Sequence, residues 1–214
     1  MKFSKERKIN KYHKPHTTRL VSDHWVLGLP ANVWREAMAL WYSHNRNPPA
    51  SGNVGAGAGA TVGKLFGAQR AMKGGIGHAS VRVGPWVVAA MVACNAIGDV
   101  LDPDTGTLLA GARDADGASL LGTERALLAG ERTLRPMPGT NTTIGVVGTN
   151  ASLSKAQAQR LALSAHDGLA RSIRPVHTTL DGDTLFAMAT GAEGAPPDLM
   201  LLTTLAAHAT ALAT

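Results

Sequence analysis

The stretch Ala79–Val92, ASVRVGPWVVAAMV, alternates apolar and polar residues and then turns continuously apolar. That is the pattern of a strand buried on both faces, and such a strand needs packed layers on either side of it. The chain beyond residue 51 offers the material. Ile144–Val147 reads as a short apolar strand bracketed by Thr142-Thr143 and Gly148, and Thr184–Ala189 as another. Lys155–Ser172 reads as a helix capped by Ser152 or Ser154, with Leu161, Ala165 and Leu169 on one face. Asp198–Leu212 reads as a closing amphipathic helix, Glu124–Ala129 as a short one, and Asn95–Pro103 as a strand end followed by a turn. Strands and helices interleave without internal repeats, so a layered α/β domain is expected.

Charge divides the chain near residue 50. Residues 1–50 carry nine Lys/Arg against Glu6, Asp23 and Glu36, whereas residues 51–214 carry twelve charges of each sign. Six of the nine aromatic residues also lie before residue 50. The expected organisation is therefore a basic, aromatic-rich segment over 1–50 joined to an α/β domain over 51–214. Met1–Lys14 reads as a solvated terminus rather than a nucleic-acid arm, and 31–43 as a short helix ended by Asn45–Pro49. Neither a nucleic-acid nor a membrane partner is expected. No run reaches the roughly 20 apolar residues of a membrane span, and no apolar secretory core follows the basic start, which makes a cytoplasmic location the expectation. A single cysteine, Cys94, excludes an internal disulfide framework. His13, His16, His24 and His44 have no partners at zinc-ligand spacing, so no metal is expected.

The run Gly55–Gly63, GAGAGATVG, invites a phosphate-loop reading that fails on its residues. A Walker loop needs Gly, four residues, then Gly-Lys-Ser/Thr. Here Leu65 follows Gly63-Lys64, and Ala58 stands where the first glycine belongs. A dinucleotide reading of Gly55, Gly57 and Ala60 has no strand before it and no acid about 20 residues on. The glycines are expected to serve tight backbone packing.

Pro138–Val147, PGTNTTIGVV, places threonines at the start of a strand after an asparagine and a glycine turn. That arrangement suits the precursor of an N-terminal nucleophile. The hydroxyl attacks the carbonyl before it, and the freed α-amine then serves as base near neutral pH. It equally suits plain β-propensity. Asp181 and Asp183 are two residues apart, so extended chain would turn both carboxylates one way. An Asp-Gly-Asp turn can also merely solvate itself.

Several collinear segments decide between these alternatives. Gly52–Gly77, Ala93–Pro103 (ACNAIGDVLDP), Asn141–Val147 (NTTIGVV), Ser154–Gly182 and the following Asp183–Phe186 closely resemble, in order, the DmpA-type aminopeptidase family. That family includes L-aminopeptidase/D-amino-acid esterases, β-peptidyl aminopeptidases and nylon-oligomer hydrolases. The resemblance covers roughly residues 51–200. It implies a layered αββα fold and self-cleavage between Asn141 and Thr142, leaving Thr142 at the head of a C-terminal piece. It implies an oxyanion role for Asn95 and a place near the nucleophile for Lys64. Asp181 and Asp183 match the acid pair of the nylon hydrolases, and Lys64 is expected to favour their charged forms. His166 and His177 are left as structural or interface groups.

The activity implied is hydrolysis of N-terminal residues from peptides, amides, esters or ω-amino-acid oligomers, without a metal or organic cofactor. The expected partners are a small peptide or amide substrate and further copies of the processed chain in a homo-oligomer. The family's N-terminal motifs and the tyrosine of its oxyanion hole are not recognisable in residues 1–50, so an N-terminally truncated domain is expected. The alternative reading is an inactive remnant acting as an interaction subunit.

Overall fold

A computed structural model describes residues 19–22, 50–134, 140–193 and 196–214, the first of these as backbone only. The basic run Met1–Lys14 and the helix expected over 31–43 lie outside the described residues. The strands are Arg19–Ser22 (β1), Thr61–Val62 (β2), Met72–Lys73 (β3), Gly75–Val83 (β4), Trp86–Cys94 (β5), Asp99–Leu101 (β6), Leu108–Ala110 (β7), Ile144–Ala151 (β8), Ile173–Arg174 (β9) and Thr184–Glu193 (β10). The helices are Thr123–Leu128 (α1), Lys155–Ser172 (α2) and Leu199–Ala213 (α3).

The apolar run expected as one strand is two. β4 and β5 form an antiparallel hairpin that pairs Val83 with Trp86 across the loop Gly84-Pro85. Gly84 has φ +57°, and glycine at the first position of a two-residue hairpin loop takes that conformation without a Cβ penalty. The alternating half of the run belongs to the partly exposed β4, and the continuous half to β5. Asn95–Pro103 also holds more than a strand end and a turn, because β6 lies there, paired with both β7 and β9.

Five strands form the main sheet in the order β1-β10-β8-β5-β4, with β10 and β8 parallel and the other pairs antiparallel. The connection between β8 and β10 runs through α2, as a parallel pair requires. Period-two alternation assigns the faces. Val88, Ala90 and Val92 of β5, Val147 of β8, and Leu185 and Ala187 of β10 pack with α2 and α3 in the principal core. Met91, Val146, Phe186 and Met188 form a second buried cluster on the opposite face. These central strands are therefore apolar on both sides, which is why they read as near-continuous hydrophobic runs.

Helix α2 starts as its sequence dictates. Ser154 and Gln157 form a reciprocal capping box, and Leu161, Ala165 and Leu169 recur at four-residue spacing, all fully buried. Its Gly168 lets α3 approach closely, since a Cβ there would fall 2.3 Å from the Ala207 carbonyl oxygen. Asp198 caps α3 by accepting the Leu201 N–H.

Two smaller sheets, β2-β3 and β7-β6-β9, complete the described strands. Asp99 ties β6 to the start of α1. Its buried carboxylate accepts the Ala112 N–H at 2.8 Å, the Thr123 hydroxyl at 2.6 Å and the Thr123 N–H. Among the described residues, no helix is long and apolar enough to cross a membrane.

Candidate active site

Strand polarity brings the predicted residues together. β8 and β10 are parallel with Ile144 opposite Thr184, so the residues just before each strand, 141–143 and 181–183, lie side by side. β5 runs antiparallel to β8 with Ala93 opposite Ile144, so its exit delivers Asn95 to the same end of the sheet. The glycine-rich segment arrives from a third direction. Gly63 and Lys64 donate their N–H groups to the carbonyls of Gly98 and Ile97, at 2.9 and 3.0 Å. Gly63 has φ +70°, and a Cβ there would sit 1.9 Å from the Ala112 nitrogen, so close packing accounts for this glycine.

Asn95 and Lys64 form one unit. The side-chain oxygen of Asn95 accepts the Lys64 ammonium at 2.8 Å and the Thr61 N–H at 3.1 Å. Two donors on that oxygen orient the amide, leaving Nδ2 to donate. It donates to the Thr140 carbonyl at 3.0 Å, and Lys64 Nζ reaches the same oxygen at 3.2 Å. Half-burial lowers the Lys64 pKa to about 8, against the opposing pull of Asp181, Cys94 and Asp183.

The carbonyl of Asn141 is held separately, by the Gly182 N–H at 2.9 Å. Asn141 itself is buried, and its Nδ2 contacts the Leu180 carbonyl at 3.4 Å. Thr142 is half-buried, with its hydroxyl over Gly182; a Cβ on that glycine would lie 2.9 Å from Oγ1.

The two carboxylates share the site but not their partners. Asp181 accepts the Thr178 hydroxyl at 2.6 Å, the Thr178 N–H at 3.1 Å and the Ile97 N–H at 3.2 Å. Burial raises its pKa; Thr178 opposes the rise and the neighbouring charge of Asp183 adds to it. Lys64 was expected to favour the charged forms of both acids; at Asp181 the largest influence is burial, which acts the other way. Asp183, whose side chain is only 2% exposed, accepts the Thr143 N–H at 2.9 Å and contacts His177 Nδ1 at 2.9 Å. His177 Nε2 in turn meets His166 Nδ1 at 3.2 Å.

All six predicted positions, Lys64, Asn95, Asn141, Thr142, Asp181 and Asp183, thus gather at one end of the sheet. Two further groups were not singled out by sequence. Gly182 contributes a main-chain donor, which no side-chain pattern reveals, and Thr178 binds Asp181. His177, expected as a structural or interface group, contacts Asp183 from the turn that precedes it. Their signal was proximity to the acid pair within HTTLDGD. The residues can carry acyl transfer: a hydroxyl beside a carbonyl, donors aimed at carbonyl oxygens, and a charged surround of mixed sign. Among the described residues, no group of three or more His, Cys, Asp or Glu could hold a metal ion.

Comparison with known proteins gives concordant matches. The model of Peptidase family S58 matches residues 21–214, beginning within β1. The chain is similar to an uncharacterised aminopeptidase of Mycobacterium leprae (strain TN), 50% identical over 147 residues, covering 67% of this chain and 38% of that protein. It is also similar to a 6-aminohexanoate-oligomer endohydrolase of Agromyces sp. (strain KY5R), 33% identical over 143 residues, covering 65% of this chain and 39% of the relative. Among solved structures, it resembles an L-aminopeptidase D-Ala-esterase/amidase from Ochrobactrum anthropi, described as a variant of the Ntn hydrolase fold. That match has a TM-score of 0.52 at 22% identity and covers 79% of this chain and 44% of the other. The chain spans about two fifths of the length of these curated relatives.

Proposed function

The chain belongs to peptidase family S58 and has the DmpA-type α/β fold of the Ntn hydrolases, and from that premise we propose that it is a self-processing amidohydrolase. It cleaves itself between Asn141 and Thr142, then releases N-terminal residues from peptides, amides, esters or ω-amino-acid oligomers. Thr142 Oγ is the nucleophile in both stages. In the processed chain its own α-amine, with an ordinary pKa of about 7.7–8, takes the hydroxyl proton. Substrate acylates Thr142, and water releases the acyl group. Asn95 Nδ2 stabilises the oxyanion, Lys64 holds Asn95 in place, and Asp181 and Asp183 orient the new ammonium.

One arrangement carries this reading. Residues from three separate stretches of chain converge on the single peptide segment 140–143, through the bonds from Asn95 and Lys64 to Thr140, from Gly182 to Asn141, and from Thr143 to Asp183. Convergence of donors and carboxylates on a threonine at a strand start is what a self-acylating site needs.

The test is an intact-mass spectrum of freshly purified full-length chain beside Thr142→Ala. Two species dividing between Asn141 and Thr142, absent in the variant, are expected. Hydrolysis of amino-acid amides, β-peptides and nylon oligomers then identifies the substrate class. The processed chains are expected to associate into a homo-oligomer, which light scattering measures. A single uncut chain in both samples overturns the proposal and favours a catalytically inactive member of the family.

A further inference from the structure

We infer that the scissile carbonyl is activated for self-cleavage by the main-chain N–H of Gly182, not by Asn95. This rests on the self-processing read above. The two residues before Thr142 present consecutive carbonyls, and the structure grips them with different groups. The Thr140 oxygen takes both Asn95 Nδ2 and Lys64 Nζ, at 3.0 and 3.2 Å. The Asn141 oxygen, on the bond to be cut, takes Gly182 N–H at 2.9 Å. Asn95 therefore stands one peptide upstream of the reacting carbon in the uncut chain.

Sheet register explains why a glycine main chain does this work. The bond from Gly182 to Asn141 continues the parallel pairing of β8 and β10 by one rung beyond Thr184 N–H to Thr143 oxygen, which is 3.0 Å. The donor is thereby held rigidly on the carbonyl before any charge develops, the condition under which oxyanion stabilisation is most effective. The glycine leaves the nucleophile's hydroxyl undisturbed, since a Cβ at 182 would meet Thr142 Oγ1 at 2.9 Å and turn it aside.

The step balances within the chain. Thr142 Oγ forms a bond to the Asn141 carbonyl carbon, and the π electrons move onto the oxygen that Gly182 holds. Collapse breaks the carbon–nitrogen bond, and the hydroxyl proton ends on the released Thr142 nitrogen. Water then adds to the ester, returning the hydroxyl to Thr142 and leaving a carboxylate on Asn141. Residue 140 is then no longer tethered to Thr142, and Asn95 and Lys64 become open to the carbonyl of an incoming substrate. The two donor sets act in turn.

The test replaces single amides by esters in the full chain: glycolic acid at 182, and the α-hydroxy analogue of threonine at 184 as the control for a lost rung. Self-cleavage is followed by intact mass, and native folding by thermal unfolding. The 182 ester should slow cleavage about 100-fold or more, as loss of an oxyanion donor does. The 184 ester should stay within about tenfold of the natural chain, the scale of one net hydrogen bond. Equal rates in the two esters, or an unchanged rate at 182, overturn the inference while self-processing stands. A natural chain that never cuts itself overturns self-processing, and this inference with it. Should the 182 ester fail to fold, a through-hydrogen-bond coupling between the Gly182 amide nitrogen and the Asn141 carbonyl carbon of the uncut Thr142→Ala chain decides: a resolved coupling supports Gly182, and its absence overturns the inference.

Discussion

Lys64 Nζ lies 2.8 Å from the side-chain oxygen of Asn95 and 3.1 Å from its main-chain oxygen, and it also reaches the Thr140 carbonyl at 3.2 Å. All three partners are acceptors, so the arrangement uses every donor of a charged ammonium and has no place for the lone pair of a neutral amine. Burial nevertheless makes that ammonium easy to discharge, with a pKa of about 8.

Substrate hydrolysis by the processed chain should therefore slow as pH rises through about 8, where Lys64 loses the proton with which it holds Asn95. A rate profile of substrate hydrolysis against pH checks this, and Lys64→Arg should flatten the alkaline limb. Stability moves the other way. The folded pKa of about 8 lies below the ordinary 10.5, so Lys64 binds more protons in the unfolded chain between those values and its contribution to stability rises with pH, while above about 9 the buried Cys94 thiol, pushed up to about 12, works in the opposite direction. Lys64→Met should abolish the rise between about pH 8 and 9 in urea-unfolding midpoints.

Asp183→Ala should destabilise the fold by about 1–3 kcal/mol, because it strips the Thr143 N–H of its acceptor in a buried setting. Asp183→Asn should recover most of that loss, since its side-chain oxygen can still accept. Chemical denaturation of the two variants separates this contribution from any effect on chemistry.

Away from the site, Asp99→Ala should cost about 3 kcal/mol or more, larger than most single substitutions. It leaves the Ala112 and Thr123 N–H groups unpaired at the junction of β6 and α1. Thr123→Ser, which keeps the hydroxyl bonded to Asp99, should cost far less. Urea midpoints of both variants check the contrast.

The glycine-rich run makes opposite predictions four residues apart. Gly63→Ala should prevent stable folding, since its φ of +70° and the Ala112 nitrogen leave no space for a Cβ. Gly59→Ala meets nothing within 4 Å and should be neutral or mildly stabilising, about 0.4–1 kcal/mol at most. Thermal unfolding of the pair tests whether the run serves packing at position 63 and is free at position 59.

Much of this was legible because helices and central strands are written in local periodicity. Leu161, Ala165 and Leu169 announce the buried face of α2, and Ser154 with Gln157 its start. The apolar run of β5 announces a strand covered on both sides. The order of the motifs around Lys64, Asn95, Thr142 and the acid pair named the candidate site. The hairpin break at Gly84-Pro85 was missed, since a two-residue reversal inside an apolar run leaves the periodicity nearly unchanged. The pairing of β1 with β10 was missed because no local pattern specifies which distant strand a short segment joins.

The sequence by itself determined the layered class, the helices and the residue types that acyl transfer needs. Tertiary structure decided which carbonyl each donor holds. That Asn95 meets Thr140 while Gly182 meets Asn141 depends on the register between strands about forty residues apart, and a shift of one residue would move both carbonyls off their donors. Periodicity is a short-range property of the chain, whereas register is set by the packing of whole strands against one another.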